Sequence, residues 1–228
     1  MDAKAELKRL AAEKAVEYVE SGMVLGLGTG STAVFMVRAI GRLLANGRLQ
    51  NIVAIPTSEA TAREAEKWNI PLTTLDAHPV IDLTIDGADE IAPDLGLIKG
   101  LGGALLREKI TAVSSKKLII ISDDSKIVQH LGEKAPVPVE VIPFARQPVR
   151  AHLESLGATV IERLTDDGRS FITDENNIIL DCHFDCIANT HALAQAIRKQ
   201  PGVVEHGLFL DMATTAVIAA ADGIILLD

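Results

Sequence analysis

Three glycines, with hydroxyl side chains between and after them, follow a short apolar run near the start of the chain. The stretch is LGLGTGSTA, residues 25–33. Glycines let a backbone approach an anion closely, and the loop amides and the Thr29, Ser31 and Thr32 hydroxyls can all donate hydrogen bonds. A helix beginning after the loop would add about half a positive charge at its N-terminus. The stretch is typical of a phosphate site, although a glycine-rich turn in which Ser31 or Thr32 caps the helix is an equal alternative.

The loop departs from the two best-known nucleotide-binding patterns. A dinucleotide fingerprint needs a third glycine or alanine where this chain has Ser31, and an acidic residue where it has Pro56-Thr57-Ser58. The triphosphate loop needs a lysine after its last glycine, and none follows here. A phosphate monoester is therefore the favoured anion.

The motif DGADE (residues 86–90) places Asp86 and Asp89 at the carboxyl end of the predicted strand 80–86. Ligands of open parallel sheets bind at the carboxyl ends of the strands, so Asp86 and Asp89 are candidates to bind sugar hydroxyls or to transfer protons. Two alternatives stay open: an Asp-Gly turn that only closes the strand, and a metal site. His78 is the nearest histidine, and the histidines lack ligand spacing.

A third stretch, KGLGGALLREK (residues 99–109), places a lysine and a glutamate around the start of a predicted helix. Helical spacing puts Glu108 on the same face as apolar residues, while Arg107 and Lys109 point about 100° to either side. A carboxylate on a buried face is costly unless it is paired or functional, and a desolvated carboxylate suits a general base. The alternative is a glutamate at the helix edge, paired with an exposed lysine or arginine.

The order of the predicted elements indicates an α/β fold. Helices at 3–20, 31–45, 57–68 and 102–115 alternate with strands at 23–27, 52–56, 80–86 and 116–122, which predicts a doubly wound, mostly parallel Rossmann-like sheet. Lys126 follows the fourth strand at the same sheet edge. From about residue 130 the pattern becomes a small α+β unit with a hairpin at 166–181. We predict a catalytic domain of residues 1–129 and 206–228, and a lid or interface domain of residues 130–205.

Composition narrows the function further. Hydrophobic residues make up 48% of the chain and aromatic residues only 3%, as expected for a parallel sheet covered by helices. A net charge of −9 argues against nucleic acid as a partner. Cys182 and Cys186 form no disulfide framework or standard zinc pattern. With neither a signal peptide nor an apolar run of membrane length, the sequence predicts a cytoplasmic protein that does not bind membranes.

Five motifs together carry a family resemblance. GLGTGSTA, TSEAT, DGADE, KGLGGALLREK and SDDSK occur in an order and at spacings that closely resemble ribose-5-phosphate isomerase, type A. The resemblance implies catalytic roles for Glu108, Asp86, Asp89 and Lys99, with Glu108 as the proton acceptor. It implies substrate binding by Lys8, Thr29, Gly30, Ser31, Thr32, Gly87, Ala88, Gly100, Leu101, Gly102 and Lys126. Many members have glycine where this chain has Leu101; because the donor there is a backbone amide, we expect function to survive.

The implied reaction is the interconversion of ribose 5-phosphate and ribulose 5-phosphate, a step of the non-oxidative pentose phosphate pathway. A carboxylate would move a proton between C2 and C1 through a cis-enediolate, without metal or organic cofactor, in a homodimer or homotetramer. Three other classes remain alternatives: a sugar-phosphate sensor, an acyl-CoA-type transferase with a glutamate nucleophile, and a redox enzyme. The chain has no basic helix-turn-helix segment to support the sensor.

Overall fold

The computed structural model describes residues 3–228, which form six helices and thirteen strands. The helices are α1 (Ala3–Val16), α2 (Ala33–Ala45), α3 (Glu59–Lys67), α4 (Leu105–Val113), α5 (Arg146–Ser155) and α6 (Thr190–Arg198). The strands are β1 (Val24–Leu27), β2 (Val53–Pro56), β3 (Leu83–Gly87), β4 (Glu90–Ile91), β5 (Leu97–Ile98), β6 (Leu118–Asp123), β7 (Val137–Val141), β8 (Thr159–Glu162), β9 (Ile178–His183), β10 (Val203–His206), β11 (Leu208–Phe209), β12 (Thr215–Ala220) and β13 (Gly223–Leu227).

The chain divides into two compact units. The first comprises the chain up to Ala88, Arg107–Lys126 and Met212–Asp228, and the second comprises Asp89–Leu106 and Ile127–Asp211. This division differs from the predicted domain boundaries mainly because residues 89–106 group with the second unit. Those residues hold β4 and β5, whose strand partners are each other and β11.

The first unit is built on a six-stranded sheet in the order β13-β12-β6-β3-β1-β2. Every neighbouring pair is parallel except β12 and the edge strand β13. The core is aliphatic, with Leu25, Ile40, Ile85, Ile121 and Val217 at most 2% exposed. The predicted fold class is therefore confirmed, and the last apolar stretch of the chain does rejoin the first sheet.

A local signal explains where α3 begins, but not where α2 begins. Ser58 is extended before α3, and its side chain accepts a hydrogen bond from the amide of Thr61 (3.0 Å), so of the two hydroxyl residues that precede the helix, Thr57 and Ser58, it is Ser58 that caps it. Thr32 precedes α2, but its side chain makes no capping hydrogen bond. Thr32 thus occupies the N-cap position without making the hydrogen bond of a capping side chain.

The second unit contains two antiparallel sheets. The four-stranded sheet has the order β10-β7-β9-β8, and the three-stranded sheet has the order β11-β5-β4. The predicted hairpin at 166–181 is wrong, because its first strand does not form and only its second strand is present, as β9. Both edges of β9 are occupied by β7 and β8, and residues 166–177 instead make turns through Gly168 and Asn176, which have positive φ angles. The small sheet of two-residue strands is not predicted by the sequence.

No helix among residues 3–228 is both long enough and apolar enough to cross a membrane.

Candidate active site

The glycine loop leaves the carboxyl end of β1 beside the end of β3. The amide of Gly28 donates to the carbonyl of Ile85 (3.0 Å). A Cβ atom at Gly28 would lie 2.1 Å from Oδ1 of Asp86 and 2.5 Å from its Cα. Gly30 has a φ angle of +108°, which disfavours any residue with a side chain. The two glycines thus serve different purposes: one allows the close approach of β3, and the other allows the turn.

Asp86 connects the loop to the sheet. Its side chain is only 1% exposed, and Oδ1 accepts hydrogen bonds from the amides of Thr29 (3.0 Å) and Gly87 (2.7 Å). Charge-assisted hydrogen bonds of this kind are stronger than neutral ones. Asp86 therefore fixes the direction of the loop. Ala88, two residues further on, is half-buried and is the last residue of the first segment of this unit.

Two lysines of the first unit, Lys8 and Lys126, are expected from the sequence to bind substrate. Nζ of Lys8, on α1, donates to Oγ of Ser31 at 2.8 Å, so the structure brings this lysine to the glycine loop. Lys126 ends the short 3-10 turn Asp124–Lys126, which directly follows β6, and it is half-buried. Lys126 is thus at the carboxyl edge of the parallel sheet, where the sequence places it.

Glu108 lies in the first turn of α4 and is 5% exposed. One turn further along, Thr111 sits against β1: a Cβ atom at Gly26 would be 2.8 Å from its Cγ2. The rise along α4 from Glu108 to Thr111 is about 4.5 Å. The distance along β1 from Gly26 to Gly28 is about 6.6 Å, which is similar. The other end of α4 lies at the start of β3, where the amide of Ile81 donates to the carbonyl of Ser114 (2.9 Å). The helix therefore runs antiparallel to β1 and β3, and this direction places Glu108 level with the glycine loop at the carboxyl edge of the sheet.

The flanking charges of α4 differ from expectation. Lys109 is 4% exposed, so Glu108 is not the only buried charge on this helix. Arg107 is half-buried, and its Nη1 donates to Glu59 on α3 at 2.8 Å. Glu108 and Lys109 are thus both buried, because α4 is covered over more than the narrow face that helical spacing defines.

In the second unit, Asp89 organises the segment that follows Lys99. Its amide donates to the carbonyl of Ile98 (2.8 Å), and Oδ2 accepts from the amide of Leu101 (2.9 Å). Leu101 is 42% exposed and, unlike Gly100, does not have a positive φ angle. A leucine therefore fits at this position without backbone strain. Gly102 follows at the surface.

Lys99 is buried, at 2% exposure, and it contacts the backbone of Gly207 and the ring of Phe209. Its amide donates to the carbonyl of Gly207 (2.9 Å), and Nζ lies 5.4 Å from the centroid of the Phe209 ring, within cation–π range. A Cβ atom at Gly207 would be 2.2 Å from the carbonyl oxygen of Lys99. The pairing of β11 with β5 therefore determines where this lysine lies.

Comparison with known proteins assigns the family. The family profile described as ribose 5-phosphate isomerase A (phosphoriboisomerase A) matches residues 53–223. The ribose-5-phosphate isomerase A of Roseiflexus castenholzii is 56% identical over 97% of this chain and 94% of its own length. The chain belongs to the ribose-5-phosphate isomerase A family. The predicted resemblance is thus confirmed, as is the prediction that the chain is an enzyme of this class.

Solved structures of the family agree with the fold. The ribose 5-phosphate isomerase of Plasmodium falciparum is 44% identical and superimposes with a TM-score of 0.95 over 98% of each chain. A D-ribose-5-phosphate isomerase solved in complex with phospho-erythronic acid is 36% identical, with a TM-score of 0.97 over 99% of each chain.

The structure identifies one contact to the ribose-5-phosphate isomerase motifs that the sequence does not reveal. Nη1 of Arg163 donates to the carbonyls of Gly100 (2.7 Å) and Leu101 (3.0 Å), and its guanidinium also forms an ion pair with Asp181. Arg163 follows β8 in a stretch without a motif, 63 residues from Gly100. Only proximity in space could have revealed this contact.

We expect Arg163→Met to lower kcat/KM by about thirtyfold, since two hydrogen bonds are lost and each contributes about 1 kcal/mol. The arginine binds two carbonyls of the segment after Lys99, and methionine keeps the unbranched apolar part of the side chain but removes the guanidinium donors. Steady-state kinetics on ribose 5-phosphate measure the effect. Arg169→Met is the matched control, because the side chain of Arg169 is exposed and pairs with Asp167. An equal loss in both variants would contradict a specific role for Arg163.

Among residues 3–228, no group of three or more His, Cys, Asp or Glu side chains could hold a metal ion. Cys182 is buried in β9 and Cys186 is exposed. Burial raises the pKa of the Cys182 thiol well above its ordinary range.

Proposed function

We propose that the chain interconverts ribose 5-phosphate and ribulose 5-phosphate, with Glu108 as the base. The observation that carries the proposal is the buried carboxylate of Glu108, level with the glycine loop at the carboxyl edge of the first unit's sheet. Membership of the family supports the substrate, and a relative in complex with phospho-erythronic acid supports a phosphorylated, hydroxylated ligand.

The phosphate group is proposed to bind the glycine loop. The amides of Gly30, Ser31 and Thr32 precede α2, whose N-terminus favours an anion, and Lys8 adds a positive charge 2.8 Å from the Ser31 hydroxyl. Lys126 is a further proposed contact. Anchoring the phosphate far from the reacting carbons turns binding energy into positioning of those carbons.

The proton transfer is proposed to use Glu108 in both directions. The carboxylate removes the proton from C2 of the open-chain aldose, and the C–H electron pair forms the C1–C2 double bond while negative charge develops on O1. The same proton returns to C1, and the O2 hydroxyl proton passes to O1, which leaves a ketone at C2. The Lys99 ammonium is the proposed donor to the charged oxygen, and electrostatic stabilisation of this kind is commonly the largest catalytic contribution.

Asp86 and Asp89 are proposed to orient sugar hydroxyls and to assist ring opening. Backbone hydrogen bonds fix both carboxylates. Asp86 accepts from the amides of Thr29 and Gly87, and Asp89 accepts from the amide of Leu101. Gly87, Ala88, Gly100 and Gly102 are proposed to contribute backbone contacts. The homodimer or homotetramer and the cytoplasmic location stay predictions, and one Arabidopsis thaliana relative is described as chloroplastic.

The proposal is tested by following ribose 5-phosphate conversion in D2O by NMR, with excess EDTA present. We expect turnover to persist in chelator and deuterium to appear at C1 of ribulose 5-phosphate whenever the abstracted proton exchanges before its return. Ribose without phosphate should react far more slowly. Complete loss of turnover in EDTA would favour a metal at Asp86 and Asp89, and absence of turnover in every condition would contradict the proposal.

Two of the alternative functions, the acyl-CoA-type transferase and the redox enzyme, can each be tested by a separate measurement. A glutamyl thioester detected by mass spectrometry after mixing with acyl-CoA would favour the transferase. Saturable binding of NAD(H) would favour a redox enzyme.

A further inference from the structure

Three hydroxyl residues of the TSEAT motif have no role in the proposed reaction, although the motif helps to identify the family. Thr57, Ser58 and Thr61 lie between the end of β2 and the first turn of α3. Their exposures are 0%, 4% and 6%. Buried hydroxyl groups need hydrogen-bond partners, and these three find them on the glycine loop.

The three side chains converge on Thr29. Oγ1 of Thr29 lies 2.7 Å from Oγ1 of Thr57, 2.8 Å from Oγ of Ser58 and 3.1 Å from Oγ1 of Thr61. We call Thr29, Thr57, Ser58 and Thr61 the hydroxyl cluster. All four belong to the first unit.

The cluster also holds the two backbone carbonyls that lead into the loop. The Thr57 hydroxyl donates to the carbonyl of Leu27 (3.0 Å), and the Thr61 hydroxyl donates to that of Gly28 (3.0 Å). The Ser58 hydroxyl donates to Oγ1 of Thr61 (3.1 Å). Three consecutive residues of the loop entrance, 27–29, are therefore fixed by one short segment of chain.

Counting protons shows which way Thr29 points. A hydroxyl group has one proton to donate. Those of Ser58 and Thr61 go to the acceptors just described, and that of Thr57 has two acceptors, the Leu27 carbonyl and Oγ1 of Thr29. The Thr29 proton is then directed at Oγ of Ser58, at 2.8 Å, and the Thr29 amide donates to Asp86. Both polar hydrogens of Thr29 are engaged within the first unit.

We infer that Thr57, Ser58 and Thr61 are positioning residues for the phosphate loop, and that Thr29 belongs with them instead of binding phosphate through its hydroxyl. The inference rests on the proposed function, because it assumes that the loop binds the substrate phosphate. It leaves the amides of residues 30–32 and the hydroxyls of Ser31 and Thr32 as the phosphate ligands. Their arrangement depends on hydrogen bonds made behind the loop, by residues that do not touch the substrate.

A double-mutant cycle tests the inference. Thr29→Val and Thr57→Val each keep the shape of the side chain and remove its hydroxyl, and each should raise KM for ribose 5-phosphate by about tenfold. Because both variants break the same network, the double variant should also show about a tenfold increase, and not the hundredfold product expected of independent sites. Thr57→Ser, which keeps the hydroxyl, should restore KM to near the wild-type value.

A matched control separates positioning from loss of stability. Thr84 is a fully buried threonine of β3 whose hydroxyl meets that of Ser115 at 2.7 Å, outside the hydroxyl cluster. Thr84→Val should lower Tm by about as much as Thr57→Val while leaving KM unchanged. Thermal unfolding of all variants, without substrate, gives the coupling between Thr29 and Thr57 independently of activity.

Three results would count against the inference. Independent, multiplying effects of Thr29→Val and Thr57→Val on KM would mean that Thr29 contacts phosphate by itself. An unchanged KM in Thr57→Val, with coupling seen in Tm alone, would make the cluster purely structural and leave the proposed function intact. A wild-type chain without isomerase activity would overturn the proposed function and this inference with it, whatever coupling the Tm values show.

Discussion

Glu108→Gln should lower kcat for ribose 5-phosphate by about 10³-fold, while KM stays within about twofold of the wild-type value. Glutamine keeps the shape and buried position of the side chain but cannot accept the proton from C2. The phosphate contacts of the glycine loop are untouched, so substrate affinity should persist. Steady-state kinetics give both constants, and deuterium exchange at C2 in D2O should disappear together with turnover.

Glu140→Gln is the matched control for this variant. Glu140 is 1% exposed on β7 and accepts hydrogen bonds from Thr173 and Asn177, and burial raises the pKa of its carboxyl group. It is therefore another buried carboxylate, but one in the second unit with no proposed contact to substrate. The control should keep wild-type kcat. Substantial turnover in Glu108→Gln would remove Glu108 from the role of base.

Gly28→Ala should have the second largest effect, a fall in kcat/KM of about 10²-fold, which corresponds to about 2.7 kcal/mol. The new methyl group would lie 2.1 Å from Oδ1 of Asp86 and 2.5 Å from its Cα. Overpacking of this kind typically costs about 1–3 kcal/mol. Either β1 or β3 must move, and the hydrogen bond from Thr29 to Asp86 is lost. Kinetics and thermal unfolding together measure the effect.

Gly22→Ala provides the comparison for Gly28→Ala. Gly22 has a φ angle of +87°, but a Cβ atom there would have no other atom within 4 Å beyond its chain neighbours. Alanine there should cost about 1 kcal/mol of folding stability through backbone strain and leave kcat/KM unchanged. If Gly28→Ala were as active as Gly22→Ala, the close approach of β1 and β3 would not matter for catalysis.

The sequence predicts much of the first unit because its signals are local. Alternating aliphatic strands and helices identify the parallel sheet, and the helical pattern at 57–68 identifies α3. Helical spacing alone places Glu108 on a covered face. These features depend on residues a few positions apart, so a single stretch of chain contains all the information needed.

The errors and omissions concern contacts between distant segments. The hairpin at 166–181 fails because β9 finds both of its partners elsewhere, and the burial of Lys109 depends on what packs around α4. Arg163 reaches Gly100 across 63 residues of chain, and Thr57 reaches Thr29 across 28. Neither pair has a period or spacing that marks it in the sequence.

The amino-acid sequence by itself thus determined the family, the parallel sheet and the residue types available for phosphate binding and proton transfer. Only the tertiary structure decided how those residues are held: Thr29 turned toward three hydroxyls, Asp86 bound to the loop amides, and Lys99 beside Phe209. The physical reason is that a hydrogen bond or a ring contact depends on distance and angle in space. Those are set when strands far apart in the chain become neighbours.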